Sequence, residues 1–275
     1  MRQTRVFYSD NGTLTDLTNE VNNYHSGTYT FADFTASEDY IYVANIAPFN
    51  HFYLKMSTAS VASSTMNVEY WDGDSWVAVV ELDDQTNGLT TNGFVTFVPD
   101  RQETWAQDDT NYNSNTITGL SSVVIYEKYW IRISFDNDPT DNCVIDWIGN
   151  KFSDDNELGS EFPELLLSNA LTSFEAGKTD WEEQHVRAAE LIIRDMIARK
   201  IIYSKGQILD RQSLALPAVQ KVVELIYNSF GDDYQDQKAA ARKEYESRMK
   251  KSVYDVDLNN NGDLEQRETK KRTGS

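Results

Sequence analysis

The sequence predicts an α+β protein in which an N-terminal all-β sandwich or jelly roll is followed by a C-terminal α-helical bundle. Short runs rich in Val, Ile, Tyr, Phe and Trp, separated by polar or glycine-containing clusters, occupy the first half. Apolar residues at helical spacing occupy the second half. We therefore expect a β domain at 1–152, a linker at 153–160, a helical domain at 161–254 and a terminal segment at 255–275.

Eight runs in the first half are typical of strands, and several short strands at this spacing favour a sandwich or jelly roll. They are Arg5–Tyr8, Tyr40–Ile46, His51–Met56, Met66–Trp71, Trp76–Leu82, Phe94–Val98, Trp130–Phe135 and Val144–Ile148. Asp72-Gly73 lies between two aromatic-rich runs, which predicts a hairpin because Asp-Gly favours a tight turn. Residues 100–118 are polar and weakly patterned, which predicts a long surface loop.

Four helices are predicted in the second half, each from a start signal ahead of a periodic run. They begin at Pro163, at the Thr179/Glu182 capping box, at Pro217, and at Asp232 or Asp233. The second helix, residues 181–200, places its apolar residues on one face. The fourth helix is basic, ends near Lys251 and leads directly into the terminal segment.

Charge is distributed unevenly along the 275 residues, whose net charge is −19. Residues 1–152 contain 7 basic and 21 acidic residues, a net charge of −14, and the remainder has a net charge of −5. Such an acidic first half disfavours nucleic-acid binding, which depends on Lys and Arg near phosphates. The single cysteine, Cys143, lies in an apolar run, so we expect a buried thiol and folding in a reducing compartment. No signal peptide or membrane span is expected, which indicates a cytoplasmic site of synthesis.

No motif for catalysis is present. The sequence lacks phosphate-binding and dinucleotide-binding glycine loops, a nucleophile elbow and a metalloprotease motif. The three histidines lie far apart, and most acidic residues of the first half fall in turns. We therefore expect a protein that is not an enzyme. Trp105, in the polar loop, is the best candidate for an exposed ring that stacks on sugars, because Trp130 and Trp147 lie in apolar strands and are expected to fill the core.

Residues 257–268 match the calcium-loop pattern D-x-[DN]-x-[DN]-G-x5-E at each of its fixed positions. The predicted metal ligands are Asp257, Asn259, Asn261, Asp263, Glu265 and Glu268. Carboxylate, amide and carbonyl oxygens at this spacing suit Ca²⁺, and the glycine at the sixth position permits the sharp turn. A single loop on a terminal segment has no hydrophobic groove to open, so we expect a structural role for Ca²⁺ instead of a switch.

A cluster of cations on the fourth predicted helix is a candidate partner-binding surface. Its members are Lys238, Arg242, Lys243, Arg248, Lys250 and Lys251. Such a run is most often a solvated helix face, and it can also serve as a nucleic-acid or membrane face. On an acidic chain, a surface that complements an acidic partner or a second copy is the best match.

The order of parts in the second half resembles the head-to-tail adaptor (connector) proteins of tailed bacteriophages. A short helix at 163–173 precedes the amphipathic helix with its Arg187-Ala-Ala-Glu190 run, and the segment 216–227 precedes a long charged helix at 234–251. The first half, around 48–51 and 69–73, looks like sandwich domains of phage neck and tail components.

The resemblance implies a structural virion protein of the neck, assembled in the host cytoplasm. It implies a dodecameric ring beneath the portal protein that also contacts a tail or neck protein. DNA would pass through the ring without specific binding. The alternative is an extracellular carbohydrate-binding, lectin-like module with a calcium-binding tail. An exposed tryptophan cluster beside a concave β face would favour that alternative.

Overall fold

A computed structural model describes residues 4–24, 29–31, 34–36, 38–99, 105–108, 117–123, 127–140, 143–209, 211–258 and 269–271. These residues form two compact units. The β unit contains the described residues up to Gly149, and the helical unit contains 150–258 and 269–271. Antiparallel sheets in the first unit and helices in the second agree with the predicted α+β composition.

The β unit contains two antiparallel sheets and one short helix. Its elements are β1 (Arg5–Asp10), β2 (Thr13–Asp16), α1 (Thr18–Val21), β3 (Tyr29–Phe31), β4 (Tyr40–Asn45), β5 (His51–Thr58), β6 (Met66–Trp71), β7 (Trp76–Ala78), β8 (Glu81–Asp84), β9 (Gly93–Val98), β10 (Tyr129–Phe135) and β11 (Cys143–Gly149). The first sheet has the order β2-β1-β4-β10-β6-β7, and the second has the order β3-β11-β5-β9-β8. From β4 onwards, the strands of six or more residues alternate between the two sheets.

Both sheets contribute to one hydrophobic cluster, which includes Val68 and Ile133 of the first sheet and Leu54 and Ile145 of the second. Alternate residues of a strand point to the same face, so each strand offers every second side chain to this core. Burial of that apolar surface is the main favourable term for the unit. A second cluster on the first sheet, which includes Trp71 and Trp130, is covered in part by residues 117–123.

The predicted hairpin is confirmed, because β6 and β7 pair with Trp71 opposite Trp76. Asp72 Oδ1 accepts hydrogen bonds from the backbone N–H groups of Asp74 (2.8 Å) and Ser75 (2.7 Å). Gly73 has φ +112°, a conformation that L side chains rarely adopt, which explains the glycine at this turn.

The prediction of one strand over Trp76–Leu82 is wrong. The structure has β7 in the first sheet and β8 in the second, and the chain crosses between the sheets at Val79–Val80. The N–H of Val79 donates to the carbonyl of Val68, whereas the N–H of Val80 donates to the carbonyl of Val98. The run is apolar on both sides of the crossing, although Val80 is exposed, so the residue pattern does not reveal the break. Strands β2 and β3 were not predicted.

The helical unit contains five α-helices and a two-stranded ladder. They are α2 (Asp155–Glu161), α3 (Ser168–Phe174), α4 (Glu182–Ala198), α5 (Gln212–Phe230), α6 (Gln235–Lys251), β12 (Val253–Asp255) and β13 (Thr269–Lys271). Short 3-10 turns lie at Pro163–Leu166, Lys205–Gln207 and Asp232–Tyr234.

The predicted linker at 153–160 is instead the start of the helical unit. Asp154 caps α2 by a capping box: its carboxylate accepts from the N–H of Glu157 (2.9 Å), and the Glu157 carboxylate accepts from the N–H of Asp154 (3.1 Å). Leu158 is fully buried in the helical core. A capped helix with a buried leucine is an integral part of the unit, because both backbone and side chain are fixed.

Two other start signals were misplaced. The N–H of Glu182 donates a hydrogen bond to the Asp180 carboxylate (3.1 Å). The predicted Thr179/Glu182 capping box therefore does not form. Helix α5 begins at Gln212, upstream of the predicted start at Pro217, and Pro217 lies buried inside the helix. Proline lacks an N–H and so removes one helical hydrogen bond, a cost that the buried face of α5 offsets.

Helix α6 is attached by a narrow apolar seam. Ala241, Tyr245 and Met249 are its buried residues, spaced four apart along one edge of the helix. Ala241 belongs to the hydrophobic cluster around Trp181, and Tyr245 and Met249 belong to the cluster around Met196. Such a narrow seam leaves much of the circumference of α6 exposed.

Candidate interaction surface and metal loop

The six cations predicted to bind a partner all lie on α6, but the structure divides them. Arg242, Lys243 and Lys250 are exposed and share one face with Ala239, Glu246 and Ser247, at spacings of three and four residues. We call these six residues the α6 stripe. Within the part of the chain that the structure describes, the three cations of the stripe form no ion pair.

The other three predicted cations lie outside the stripe. Lys238 Nζ donates to Asn228 Oδ1 (2.6 Å). Arg248 donates to Glu244 (2.9 Å) and to Glu161 (3.3 Å), so its charge is compensated. Lys251 is exposed and lies beside Leu216 in a separate shallow groove between α5 and α6.

The cations of the stripe are unpaired because their neighbouring carboxylate is used elsewhere. Glu246 is four residues from both Arg242 and Lys250, the spacing at which helical ion pairs form. Its carboxylate instead accepts from Arg199, the residue that follows the last residue of α4 (3.0 Å). Arg199 also donates to Asp195 (2.6 Å). The stripe therefore presents three cations whose charge the helix itself does not neutralise.

The same contacts fix α6 on α4. The hydroxyl of Tyr245 donates to Asp195 Oδ2 (2.8 Å), beside the Arg199 contact. Burial and the bond to Asp195 raise the pKa of Tyr245, so its hydroxyl remains a donor over the ordinary pH range. The carboxylates of Asp195 and Glu246 raise the pKa of Arg199 despite its partial burial. A helix held by charge-assisted bonds and a buried seam presents its outer face in a fixed orientation.

Only the beginning of the predicted calcium loop lies within the described residues. Asp257 is fully buried, and its N–H donates to the carbonyl of Gln207 (2.8 Å). The N–H of Leu209 donates to the carbonyl of Asp255 (3.0 Å), so the entry to the loop is paired with residues 207–209. The other predicted ligands, Asn259, Asn261, Asp263, Glu265 and Glu268, lie outside the described residues.

The ladder of β12 and β13 closes the predicted loop. Asp255 pairs with Thr269, so the residues that flank the twelve-residue motif are neighbours. In such a loop the first and twelfth positions bind the same ion, and their attachment points must therefore be close. The closed ends and the oxygen-rich donor set fit a hard cation. Among the described residues alone, no group of three or more His, Cys, Asp or Glu side chains is positioned to hold a metal.

A polar network that is largely buried joins the start of α2 to α4. Ser153 Oγ lies 2.8 Å from His185 Nδ1, and His185 Nε2 lies 3.1 Å from Asp155 Oδ1. The other Asp155 oxygen accepts from the N–H of Trp181 (3.2 Å). Burial raises the pKa of Asp155, but the bonds and charge of His185 and the Trp181 N–H outweigh this and lower the pKa overall.

The residue types of this network match a hydrolase triad, but its geometry does not support catalysis. Ser153 and His185 are both fully buried, so a substrate carbonyl cannot reach the serine oxygen. Because Ser153 and Asp155 flank the α2 cap and His185 lies in α4, the network instead fixes these elements together.

A buried ion pair lies in the same region. The Nζ atom of Lys151, a fully buried residue, is 2.7 Å from Glu182 Oε2. Burial lowers the pKa of Lys151, and the charge of Glu182 opposes that shift. The second oxygen of Glu182 is buried and has no hydrogen-bond partner among the described residues. These contacts were missed from the sequence, although the D-x-x-E pattern at Asp154–Glu157 indicates a helix start there.

The prediction that Trp105 is exposed is wrong. Trp105 is 5% exposed, and its ring packs against Phe49 (5.4 Å between centroids) and Tyr70 (5.7 Å). Trp130 and Trp147 are buried in the strands, as predicted, and Trp71 is buried too. Trp76 is partly exposed, and the guanidinium of Arg132 lies over its ring at 5.1 Å. The described residues therefore contain no exposed tryptophan cluster of the kind that a lectin-like site needs.

No protein-family model matches the chain, and no curated protein is similar to it at a significant level. Among the described residues, no helix combines the length and apolar character needed to cross a membrane.

Proposed function

We propose that the protein is a structural virion protein, a head-to-tail adaptor that joins a portal protein to a tail or neck protein. The observation that carries this proposal is the α6 stripe: exposed, uncompensated cations on a firmly held helix of a chain whose net charge is −19. A fixed cationic surface is suited to docking, because complementary charge guides association and sets its register. The buried Ser153–His185–Asp155 network offers no accessible nucleophile, which favours a structural role over an enzymatic one.

Two further features support the adaptor role. The resemblance to phage adaptors rests on the order of a short helix, an amphipathic helix, a second long helix and a charged helix, and α3 to α6 lie in that order along the chain. The acidic first half would repel DNA, which suits a channel that DNA passes without specific binding. In this proposal the two sheets form a β-sandwich, the helices form a bundle, and about twelve copies form a closed ring in the virion neck.

Calcium has a structural role in this proposal. Asp257 would begin the site and Glu268 would complete it, with Asn259, Asn261, Asp263 and Glu265 between them. The bound ion supplies a charge that fixes the loop oxygens in place. The ladder of β12 and β13 supports this, because it already holds the two ends of the loop together.

Light scattering and negative-stain imaging of the purified chain, with and without a portal protein, test the proposal. We expect closed rings of about twelve copies, formed alone or on the portal. The same measurements in the presence of a chelator separate the role of Ca²⁺ from the formation of rings. Loss of the rings in chelator would assign the calcium loop to assembly. A chain that remains monomeric and does not bind the portal in calcium would refute the adaptor role.

A further inference from the structure

We infer that the α6 stripe docks onto the acidic β unit of a second copy of this chain. This inference rests on the proposed function, because it names the subunit contact from which a ring would be built. The stripe is defined by Ala239, Arg242, Lys243, Glu246, Ser247 and Lys250. It lies on the side of α6 away from the buried seam of Ala241, Tyr245 and Met249.

The shape of the stripe suits a protein partner. Ser247 lies between Lys243 and Lys250, and Ala239 lies at the N-terminal end of the stripe. Both side chains are small, so another backbone can approach the helix closely. The stripe is an open helix face, unlike the enclosed pocket that a small ligand needs. The helix is held from behind by Arg199 and Tyr245, so docking would order only the exposed side chains.

The charge of the stripe selects an acidic partner, and the β unit of this chain is strongly acidic. Residues 1–152 have a net charge of −14. Asp74, Glu81, Asp83, Asp136 and Asp138 are among its exposed carboxylates. Within the described residues these five carboxylates form no ion pair. Arg132 and Lys55 are already committed to Glu69 and Asp146. A cationic stripe on a neighbouring copy would compensate this excess negative charge.

A second copy is favoured over nucleic acid for the same reason. Phosphate binding needs a continuous basic surface, and the chain as a whole would repel a polyanion. Each copy of the chain carries one stripe and one acidic β unit, so the two surfaces are always present in equal number. Where each stripe docks onto the next copy in turn, the association is head-to-tail, and it closes into a ring if the rotation between copies allows it. A reciprocal contact between two copies would give a two-fold dimer.

Intermolecular cross-linking of the full chain tests this inference directly. Isotopically labelled and unlabelled protein would be mixed and treated with a carbodiimide, which joins a lysine amine to a nearby carboxylate. We expect mixed-label cross-links from Lys243 or Lys250 to carboxylates of residues 1–149. Association measured by sedimentation should weaken about tenfold or more between roughly 50 mM and 300 mM salt, since salt screens exposed charges.

Charge reversal supplies the matched comparison. The variant Arg242→Glu/Lys243→Glu/Lys250→Glu should lose both the association and the cross-links. The control variant Arg187→Glu/Arg194→Glu/Lys200→Glu makes the same change in net charge at exposed positions on or just after α4 and should keep both. Equal melting temperatures for wild type and variants would verify folding. Because the cross-links are sought in the wild type, the test does not depend on the variants.

The outcomes separate this inference from the adaptor proposal. Rings that persist in the α6 variant would overturn the inference and leave the adaptor role standing. Pairwise association with the expected cross-links, but no rings on the portal, would support the inference and refute the adaptor role. Cross-links within single chains only, a wild type that does not associate at low salt, or α6-dependent binding to duplex DNA without association between copies would each overturn the inference.

Discussion

Replacement of Lys151 by methionine should strongly destabilise the helical unit. The lysine is fully buried and its Nζ lies 2.7 Å from Glu182 Oε2. Methionine keeps the apolar part of the side chain and removes the charge. The carboxylate of Glu182 would then lack its cationic partner at a site that is largely shielded from water. Removal of one partner of a buried pair costs about 3–5 kcal/mol. The Glu182 side chain is 12% exposed, so we expect a value near the lower end of that range.

The double variant Lys151→Met/Glu182→Leu provides the matched control. It removes both charges, and replacement of a buried ion pair by apolar residues is often close to neutral, so we expect a stability within about 1 kcal/mol of wild type. Urea denaturation followed by the helical circular dichroism signal would measure the free energy of unfolding of each variant. A single variant within about 1 kcal/mol of wild type, or a double variant no more stable than the single, would refute the reasoning.

Four further predictions concern other parts of the molecule. The pKa of Asp155 is lowered in the folded state, so Asp155 stabilises the fold above its unfolded pKa, about 3.9, and this stabilisation is lost as the pH falls below that value. Urea denaturation between pH 2.5 and 5 should therefore show a steeper loss of unfolding free energy for wild type than for Asp155→Asn. Gly119→Ala should lower the folding stability by about 1–3 kcal/mol more than Gly12→Ala. Both glycines have a positive φ, but only the methyl group added at 119 would meet a side chain, that of Tyr42. Equal melting temperatures of the two variants would contradict this. Burial raises the pKa of Cys143 to about 11, so a disulfide reagent should modify it only in denaturant; fast modification of the native chain would be inconsistent with its burial. Calcium at about 100 times its dissociation constant should stabilise the helical unit by about 2.7 kcal/mol, and Glu268→Gln should abolish the rise in melting temperature; an equal rise in the variant would remove Glu268 from the site.

The sequence predicted elements well where one residue pattern had one structural meaning. Met66, Val68 and Tyr70 are buried, whereas Asn67 and Glu69 between them are not, and the predicted bounds Met66–Trp71 are the observed ones. The fourth helix was predicted to end near Lys251, and α6 ends at that residue, with a basic last turn. Prediction failed where one pattern fits two structures: the apolar run at 76–82 continues through a change of sheet, and a proline can begin a helix or, as at Pro217, lie inside one.

Long-range contacts account for what the sequence did not reveal about the site. All six cations of α6 could be identified as candidates, but their pairing depends on residues that are distant in sequence. Arg248 pairs with Glu161, and Arg199 binds Glu246, the carboxylate that lies four residues from both Arg242 and Lys250. Trp105 was predicted to be exposed because its neighbours in the chain are polar, whereas its neighbours in space are the rings of Phe49 and Tyr70. An aromatic residue in a polar segment is therefore better interpreted as an anchor that fastens the segment to the core.

The position of the last two strands of the β unit has a consequence for synthesis on the ribosome. Strand β10 lies between β4 and β6, and β11 lies between β3 and β5, so the interior of each sheet is filled by the strands made last. Until residue 149 has emerged, the earlier strands lack a neighbour on one side and expose unpaired edges. Pairing between such distant segments is slow, and a nascent chain in this state is prone to aggregate. The β unit is therefore expected to fold late and as a whole, when its own C-terminal strands complete both sheets.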